Sequence, residues 1–212
     1  MIRTALFFLL AFGFSLFASS QKDTLGLKFI KHNFYTDSIG NIYFRNQIPQ
    51  DGIRSLFYFE FRTTMPLTDW EKWDTLKNVI DLDSYTELKD VYAKDKNHVY
   101  YFIYNSDGST MRIIKDADPE TFKHFKSDVA IDKNHIYKDG CKAEGADPNG
   151  KIKIYPSEYS NSPYFTDGKK VFHNCLEIAD ADAATFKTIR FEASYDAEDK
   201  NQKYLRGKAL VK

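Results

Sequence analysis

The chain has 212 residues, of which 16% are aromatic and 28% are charged, and its 30 basic side chains are balanced by 30 acidic ones. A net charge of zero gives no bulk electrostatic attraction to nucleic acid or to an anionic membrane, so neither is an expected partner. A chain of this length can build a hydrophobic core, and one domain is the default expectation.

The first predicted element is a secretory signal peptide at residues 1–20. One positive charge at Arg3 precedes an apolar run at residues 5–17, and small residues follow at positions 18–20, which is the three-part pattern of such a signal. The run is shorter than the roughly 20 residues of a membrane-spanning helix; the alternative is an uncleaved membrane anchor. We expect an exported mature chain, residues 21–212, that is periplasmic or extracellular and has no stable membrane span.

The main pattern of the mature chain is a phrase that recurs at a fixed spacing. Residues 95–100, Asp-Lys-Asn-His-Val-Tyr, return 37 positions later as residues 132–137, Asp-Lys-Asn-His-Ile-Tyr, and looser copies begin at Asp37, Asp167 and Asp199. Such self-similarity is typical of repeat proteins, in which each copy is one supersecondary unit that packs on its neighbours. We therefore expect a single repeat domain of at most five units, with irregular units at both ends.

Each unit is predicted to combine a β-hairpin with a short helix. The Asp of the phrase can accept hydrogen bonds from backbone N–H groups two residues on, and the Asn tolerates the left-handed conformation of a tight turn. Residues 98–102 are largely β-branched and aromatic, which favours a strand. In the other half of the unit, Asp118 caps a short helix that begins at Pro119. Phe122 and Phe125 would then share one buried face of that helix.

Residues 45–80 fit the unit least well and are interpreted as an insertion in the first unit. Residues 56–62 have the composition of a strand. Residues 68–71, Thr-Asp-Trp-Glu, form a capping box that predicts a short helix carrying Trp70, Trp73 and Leu76. Irregular insertions in repeat proteins often lie on the binding face, so Trp70 and Trp73 are the candidate binding residues. The alternative is that both tryptophans pack on the core.

Cys141 and Cys175 are the only cysteines, and they occupy nearly matching places in successive units. An even pair in an oxidising compartment is more often a disulfide than two free thiols, so we predict a bridge between them. Closing a loop of this length would stabilise the fold by roughly 3 to 4 kcal/mol. The alternative is a pair of buried free thiols.

No segment carries a catalytic, cofactor-binding or metal-binding signature. His98 and His135 recur at equivalent positions, but a zinc site needs three or four converging ligands, and no zinc-binding spacing accompanies them. A Gly-x-Ser-x-Gly elbow and a glycine-rich phosphate loop are both missing from the sequence. We therefore predict no cofactor, metal or catalytic residue, and the sequence leaves open whether the protein is an enzyme.

The repeated Asp-Lys-Asn phrase with its tyrosines, together with Ala-Asp-Pro-Glu-Thr-Phe at residues 117–122, resembles the DKNYY family of exported bacterial repeat proteins. The likeness is good over residues 81–186, looser in the last copy and weak over residues 21–80. It implies a bacterial exported protein of uncharacterised activity and supplies no catalytic residues. His98 and His135 depart from the tyrosine that the family name implies.

The expected fold is mainly β with short helices, built as tandem hairpin and helical-turn repeats in one domain; an α+β fold is the alternative. The leading functional hypothesis is a non-catalytic binding or scaffold module of the bacterial cell envelope, because a repeat stack presents an extended surface. Its partner would be a protein or a glycan. The alternative is an envelope hydrolase acting on glycan or peptide, which needs a cleft with ionisable groups of shifted pKa from different units.

Overall fold

The structure is a computed structural model that describes residues 26–50, 53–67, 72–89, 91–105, 108–156, 163–189 and 194–210. The predicted signal peptide lies outside the described residues. Almost all regular structure is antiparallel β-strand. The mainly β fold predicted from the sequence is confirmed.

In the described part of the chain, five four-stranded sheets follow one another. The first contains β1 (Lys28–Lys31), β2 (Phe34–Thr36), β3 (Ile42–Gln50) and β4 (Ile53–Arg62). A small sheet and one helix follow, formed by β5 (Thr64–Pro66), β6 (Trp73–Thr75) and α1 (Leu76–Val79). The second sheet contains β7 (Thr86–Glu87), β8 (Tyr92–Lys94), β9 (Val99–Asn105) and β10 (Gly108–Ile113).

The last three sheets have shorter strands in the same order. The third contains β11 (Lys123–Lys126), β12 (Val129–Ile131), β13 (Ile136–Lys138) and β14 (Cys141–Lys142). The fourth contains β15 (Lys153–Ile154), β16 (Tyr164–Thr166), β17 (Val171–His173) and β18 (Leu176–Glu177). The fifth contains β19 (Lys187–Thr188), β20 (Ala197–Glu198), β21 (Lys203–Leu205) and β22 (Lys208–Ala209).

A buried aspartate organises the turn between the second and third strands of a sheet. In the third sheet, Asp132 is 4% exposed, and its Oδ1 accepts the backbone N–H groups of Asn134 and His135, each at 2.7 Å. Its Oδ2 accepts the Tyr137 hydroxyl at 2.8 Å and the backbone N–H of Asp118 at 2.9 Å. One carboxylate therefore ties together the turn, the third strand and the segment that precedes the sheet.

The same carboxylate bonds recur in the other units. The backbone bonds and the tyrosine hydroxyl bond are both present in the pairs Asp37–Tyr43, Asp95–Tyr100 and Asp199–Tyr204. In the fourth sheet, Asp167 keeps the backbone bonds, but Phe172 occupies the tyrosine position. The predicted bond from the Asp side chain to the backbone is confirmed, and the Tyr proves to be part of the same network.

The left-handed conformation predicted for the Asn of the phrase occurs elsewhere. Neither Asn97 nor Asn134 has a positive φ, whereas Asp116 (φ 61°), Asp139 (φ 53°) and Asp180 (φ 60°) do. Asp139 lies in the tight turn between β13 and β14, and the other two lie in loops after a fourth strand. The prediction was wrong because the Asp side chain already satisfies the N–H groups of the turn in a right-handed or extended backbone.

The short helix predicted in each unit is a single turn. The N–H of Phe122 donates to the carbonyl of Asp118 at 2.9 Å, and Phe186 makes the same bond to Asp182 at 2.9 Å. Phe122 is buried, but Phe125 is 43% exposed, so the predicted shared face is wrong. The physical reason is that β11 begins directly after Phe122, and side chains in a strand alternate between faces.

The predicted helix of the insertion starts later than its capping box suggests. Residues 68–71, which include Trp70, lie outside the described residues. Trp73 lies in β6, and α1 begins only at Leu76. The strand predicted at residues 56–62 is confirmed as part of β4.

The apolar core is divided into clusters that each join two successive sheets. Representative buried members, in chain order of the junctions, are Phe34 with Tyr100, Tyr92 with Tyr137, Val129 with Phe172, and Tyr164 with Tyr204. The first of these clusters also takes up Met65 and Leu76 from the small sheet and α1. Packing between neighbouring units is the arrangement expected of a repeat array.

Exposed ion pairs cover the Asp-centred turns. Lys96, Lys133 and Lys200 pair with the aspartates that precede their sheets, in the pairs Lys96–Asp81, Lys133–Asp118 and Lys200–Asp182. In each of these aspartates, the hydrogen bond from the lysine is the largest influence that holds the pKa below its ordinary value. For Asp81 the pKa falls to about 2.

We expect these pairs to make the fold acid-sensitive between about pH 4 and about pH 2. The folded pKa of Asp81 lies below its ordinary value, so the folded state binds fewer protons there than the unfolded chain. Stability is therefore fully present above the ordinary pKa and is lost as the pH falls through the folded pKa. Lys96→Met should raise the folded pKa of Asp81 and flatten this pH dependence. Urea unfolding across this pH range tests it, and equal slopes for both proteins would contradict it.

Candidate binding face around Trp73

Trp73 is a half-exposed aromatic side chain that lies next to buried residues of β5 and α1. It begins β6 and pairs with Pro66 of β5, and 50% of its surface is exposed. Met65 and Leu76, on either side of this pair in the sequence, are 2% and 1% exposed. Buried neighbours therefore support the half-exposed indole. We call the indole, together with the surface of β5, β6 and α1 next to it, the Trp73 face.

Local hydrogen bonds fix the backbone on which Trp73 stands. The Asp74 carboxylate accepts the Thr75 N–H at 2.6 Å and the Asn78 side-chain amide at 3.0 Å, joining β6 to α1. The Leu76 N–H donates to the Thr63 carbonyl at 2.8 Å, which ties α1 to the start of β5. A surface held in this way loses little conformational entropy when it binds a partner.

The recess beneath the indole is small. Its volume is about 10 Å³, and its lining consists of Phe44, Arg62, Thr64, Met65, Pro66, Trp73, Leu76 and Met111. That volume is enough for a single water molecule, whereas ligand pockets have volumes of roughly 300 Å³ or more. Trp and Arg are, however, the residue types most enriched at the energetic centre of protein interfaces. The face is suited to contact with another surface rather than to enclosing a small molecule.

A second set of ionisable groups lies between the second and third sheets. Lys138 is 1% exposed, and its ammonium contacts the carboxylates of Asp128 and Asp139. The Tyr92 hydroxyl donates to the backbone carbonyl of Asp128 at 2.6 Å. Burial raises the pKa of Asp128 and of Tyr92 above their ordinary values. Asp128 and Tyr92 come from two units and have raised pKa values, but both side chains are buried, so a substrate does not reach them.

This cluster was not among the features predicted from the sequence, although the sequence contains a signal for it. Lys138 and Asp128 stand where the preceding unit has Tyr101 and Val91. Two uncharged positions therefore change together to opposite charges, as expected of a buried ion pair. Arg62 was also missed, because nothing in the sequence places the end of β4 beside Trp73.

The two repeated histidines each pack beside a tyrosine of their own unit. The ring centroids of His98 and Tyr100 are 6.1 Å apart, and those of His135 and Tyr137 are 6.0 Å apart. Within the described ranges, no group of three or more His, Cys, Asp or Glu side chains is arranged to hold a metal ion.

Cys141 and Cys175 form the predicted disulfide, with their Cα atoms 5.9 Å apart. The bond joins β14 of the third sheet to the turn before β18 of the fourth, and it fits a protein of an oxidising compartment. Of the helices in the described part of the chain, none is long and apolar enough to cross a membrane.

The five sheets with their repeated Asp-centred turns define the chain as a β-sheet repeat protein. The sequence model of the DKNYY family matches residues 92–212, which is more than half of the chain. The chain therefore belongs to the DKNYY family. Neither a curated protein nor a solved structure matches it.

Proposed function

We propose that this protein is a non-catalytic binding or scaffold module of the bacterial cell envelope and that it contacts a partner protein through the Trp73 face. The observation that carries the proposal is the half-exposed indole of Trp73 on a backbone that local hydrogen bonds hold in place. A rigid, exposed aromatic side chain provides contact area at low entropic cost.

The positions of the Asp and Tyr side chains of the signature phrase support a scaffold role for the repeat units. The Asp and Tyr of the signature phrase are buried in the second and third units, as Asp95, Tyr100, Asp132 and Tyr137 show, and they bond to one another. These side chains stabilise turns and are not available to a ligand. The most regular part of the sequence therefore serves the fold.

An envelope location is supported by two features. Residues 1–20 have the pattern of a secretory signal peptide, and the Cys141–Cys175 disulfide is typical of proteins in oxidising compartments. At the Lys138 cluster and at the Trp73 face the hydrolase alternative has less support, since the shifted ionisable groups around Lys138 are buried and the recess at Trp73 has the volume of one water molecule.

We expect Trp73→Ala to abolish capture of the partner while the protein stays folded. Truncating a central interface aromatic typically costs about 2 kcal/mol or more, which is at least roughly a thirtyfold loss of affinity. The measurement is a cross-linking pull-down of the tagged mature chain from its native envelope, quantified by mass spectrometry, with circular dichroism as the check on folding.

The matched control is Leu176→Ala, which removes another large exposed apolar side chain, 72% exposed, from the fourth sheet. It should leave capture unchanged. Equal capture by wild type and both variants would overturn the Trp73 face. Equal loss with both variants would indicate non-specific hydrophobic adhesion. Capture of glycan in place of protein would assign the face to a polysaccharide partner.

A further inference from the structure

The junction between the second and third sheets is closed by a tyrosine and a glycine. The Tyr92 hydroxyl donates to the Asp128 carbonyl at 2.6 Å and accepts the Gly140 N–H at 3.3 Å. A Cβ on Gly140 would lie 2.4 Å from Cγ of Tyr101, so only glycine lets the two units approach this closely. We call this arrangement of a tyrosine hydroxyl over a turn glycine the tyrosine–glycine latch.

The junction between the fourth and fifth sheets has the same latch. The Tyr164 hydroxyl donates to Oδ1 of Asp196 at 2.7 Å and accepts the Gly207 N–H at 2.8 Å. A Cβ on Gly207 would lie 2.5 Å from Cβ of His173. Tyr164 and Gly207 occupy the same repeat positions as Tyr92 and Gly140. The two junctions are therefore held by the same hydrogen-bond arrangement.

The junction between the third and fourth sheets lacks every part of the latch. Val129 stands at the tyrosine position and has no hydroxyl, and Cys175 stands at the glycine position. Phe172 also replaces the tyrosine that bonds to the buried aspartate of the other regular units. Apolar packing remains, with Val129 and Phe172 both fully buried. Among the described residues, the Cys141–Cys175 bond therefore stands in the place of the latch at this junction.

We propose that the disulfide is a redox-sensitive latch: its reduction loosens the contact between the third and fourth sheets and leaves the other junctions closed. A dithiol supplies the two electrons and two protons. One of its thiolates attacks one cysteine sulfur, so the Sγ–Sγ bond breaks, one cysteine is released as a thiol and a mixed disulfide forms with the other. The second thiolate of the dithiol then attacks the mixed disulfide, which releases the second cysteine as a thiol and leaves the dithiol as a cyclic disulfide. Both cysteines are partly exposed, which gives the reductant access to the bond.

Hydrogen exchange of the mature chain, measured by mass spectrometry with and without dithiothreitol, tests the proposal. Reduction should speed amide exchange by about tenfold or more in β13, β14, β17 and β18, because local openings become less costly. Exchange in β8 and β21 should stay the same. No change anywhere, or an equal increase in all strands, would overturn the proposal.

Two variants distinguish a local effect of the disulfide from a general loss of stability. Cys141→Ser with Cys175→Ser should exchange like the reduced protein and should not respond to dithiothreitol. Tyr164→Phe removes the hydroxyl latch at the other junction, so exchange in β16 and β21 should rise with or without reductant. If the double serine variant does not fold, reduction of the wild type remains the deciding test, and a reductant response at the Tyr164 junction contradicts the proposal.

Discussion

Replacing Asp132 by alanine is expected to lower the free energy of unfolding by about 4 kcal/mol, enough to unfold a marginally stable domain. The carboxylate accepts three backbone N–H groups and the Tyr137 hydroxyl in a site that is 4% exposed. Alanine leaves these donors without their acceptor. Burial raises the pKa of Asp132, but these hydrogen bonds outweigh it and the net pKa is lowered, as expected of a carboxylate that is bound as the anion.

Urea unfolding followed by tryptophan fluorescence measures the loss. Asp132→Asn should also destabilise, because its amide nitrogen would face donors and only one oxygen would still accept. Asp83→Ala, at an exposed position of the second unit, should change stability by no more than about 0.5 kcal/mol. A small effect of Asp132→Ala, close to that of the Asp83 control, would contradict the structural role of the signature phrase.

Lys138→Met is expected to cost about 3 to 5 kcal/mol, since it leaves the buried Asp128 carboxylate without its cation. Lys142→Met is the comparison, because Lys142 makes two partly exposed ion pairs, with Asp116 at 3.0 Å and Glu144 at 2.9 Å, and such pairs contribute no more than about 1 kcal/mol. Urea unfolding at neutral pH measures both.

A double variant distinguishes charge from packing. Lys138→Met combined with Asp128→Val removes both buried charges and leaves uncharged side chains, as the preceding unit has at these positions. It should recover most of the stability lost by Lys138→Met alone, because an apolar pair of similar volume often replaces a buried ion pair without cost. A double variant as unstable as the single one would show that Lys138 acts through packing of its side chain.

The parts of the fold that depend on local hydrogen bonds or on matching repeat positions could be predicted from the sequence. The Asp-Lys-Asn turn, its following strand and the Cys141–Cys175 pairing each depend on a few residues close in sequence or at matching repeat positions. Phe125 and Trp73 were assigned to helices because their spacing permits one, but strand pairing in β11 and β6 decided their conformation. Tertiary context overrides weak local propensity in such short segments.

The site was less predictable than the fold. Trp73 was identified as a candidate from its position in an irregular segment, yet its exposure depends on how β5 and β6 pack on the first two sheets. Arg62 joins it only through the pairing of long strands. The chemistry of such a face comes from residues that are separate in sequence, and no linear motif marks it.

Photo-cross-linking from two surfaces shows whether the partner contacts the Trp73 face or the signature turns. A photoreactive phenylalanine analogue replaces either Lys72, exposed beside Trp73, or Asn134, exposed on the signature turn of the third unit, and cross-linked products from the native envelope are identified by mass spectrometry. We expect a defined partner to be cross-linked from position 72 and to be lost with Trp73→Ala, with no such product from position 134. The same partner cross-linked from position 134 and not from position 72 would contradict it, since the repeated phrase would then bind the partner.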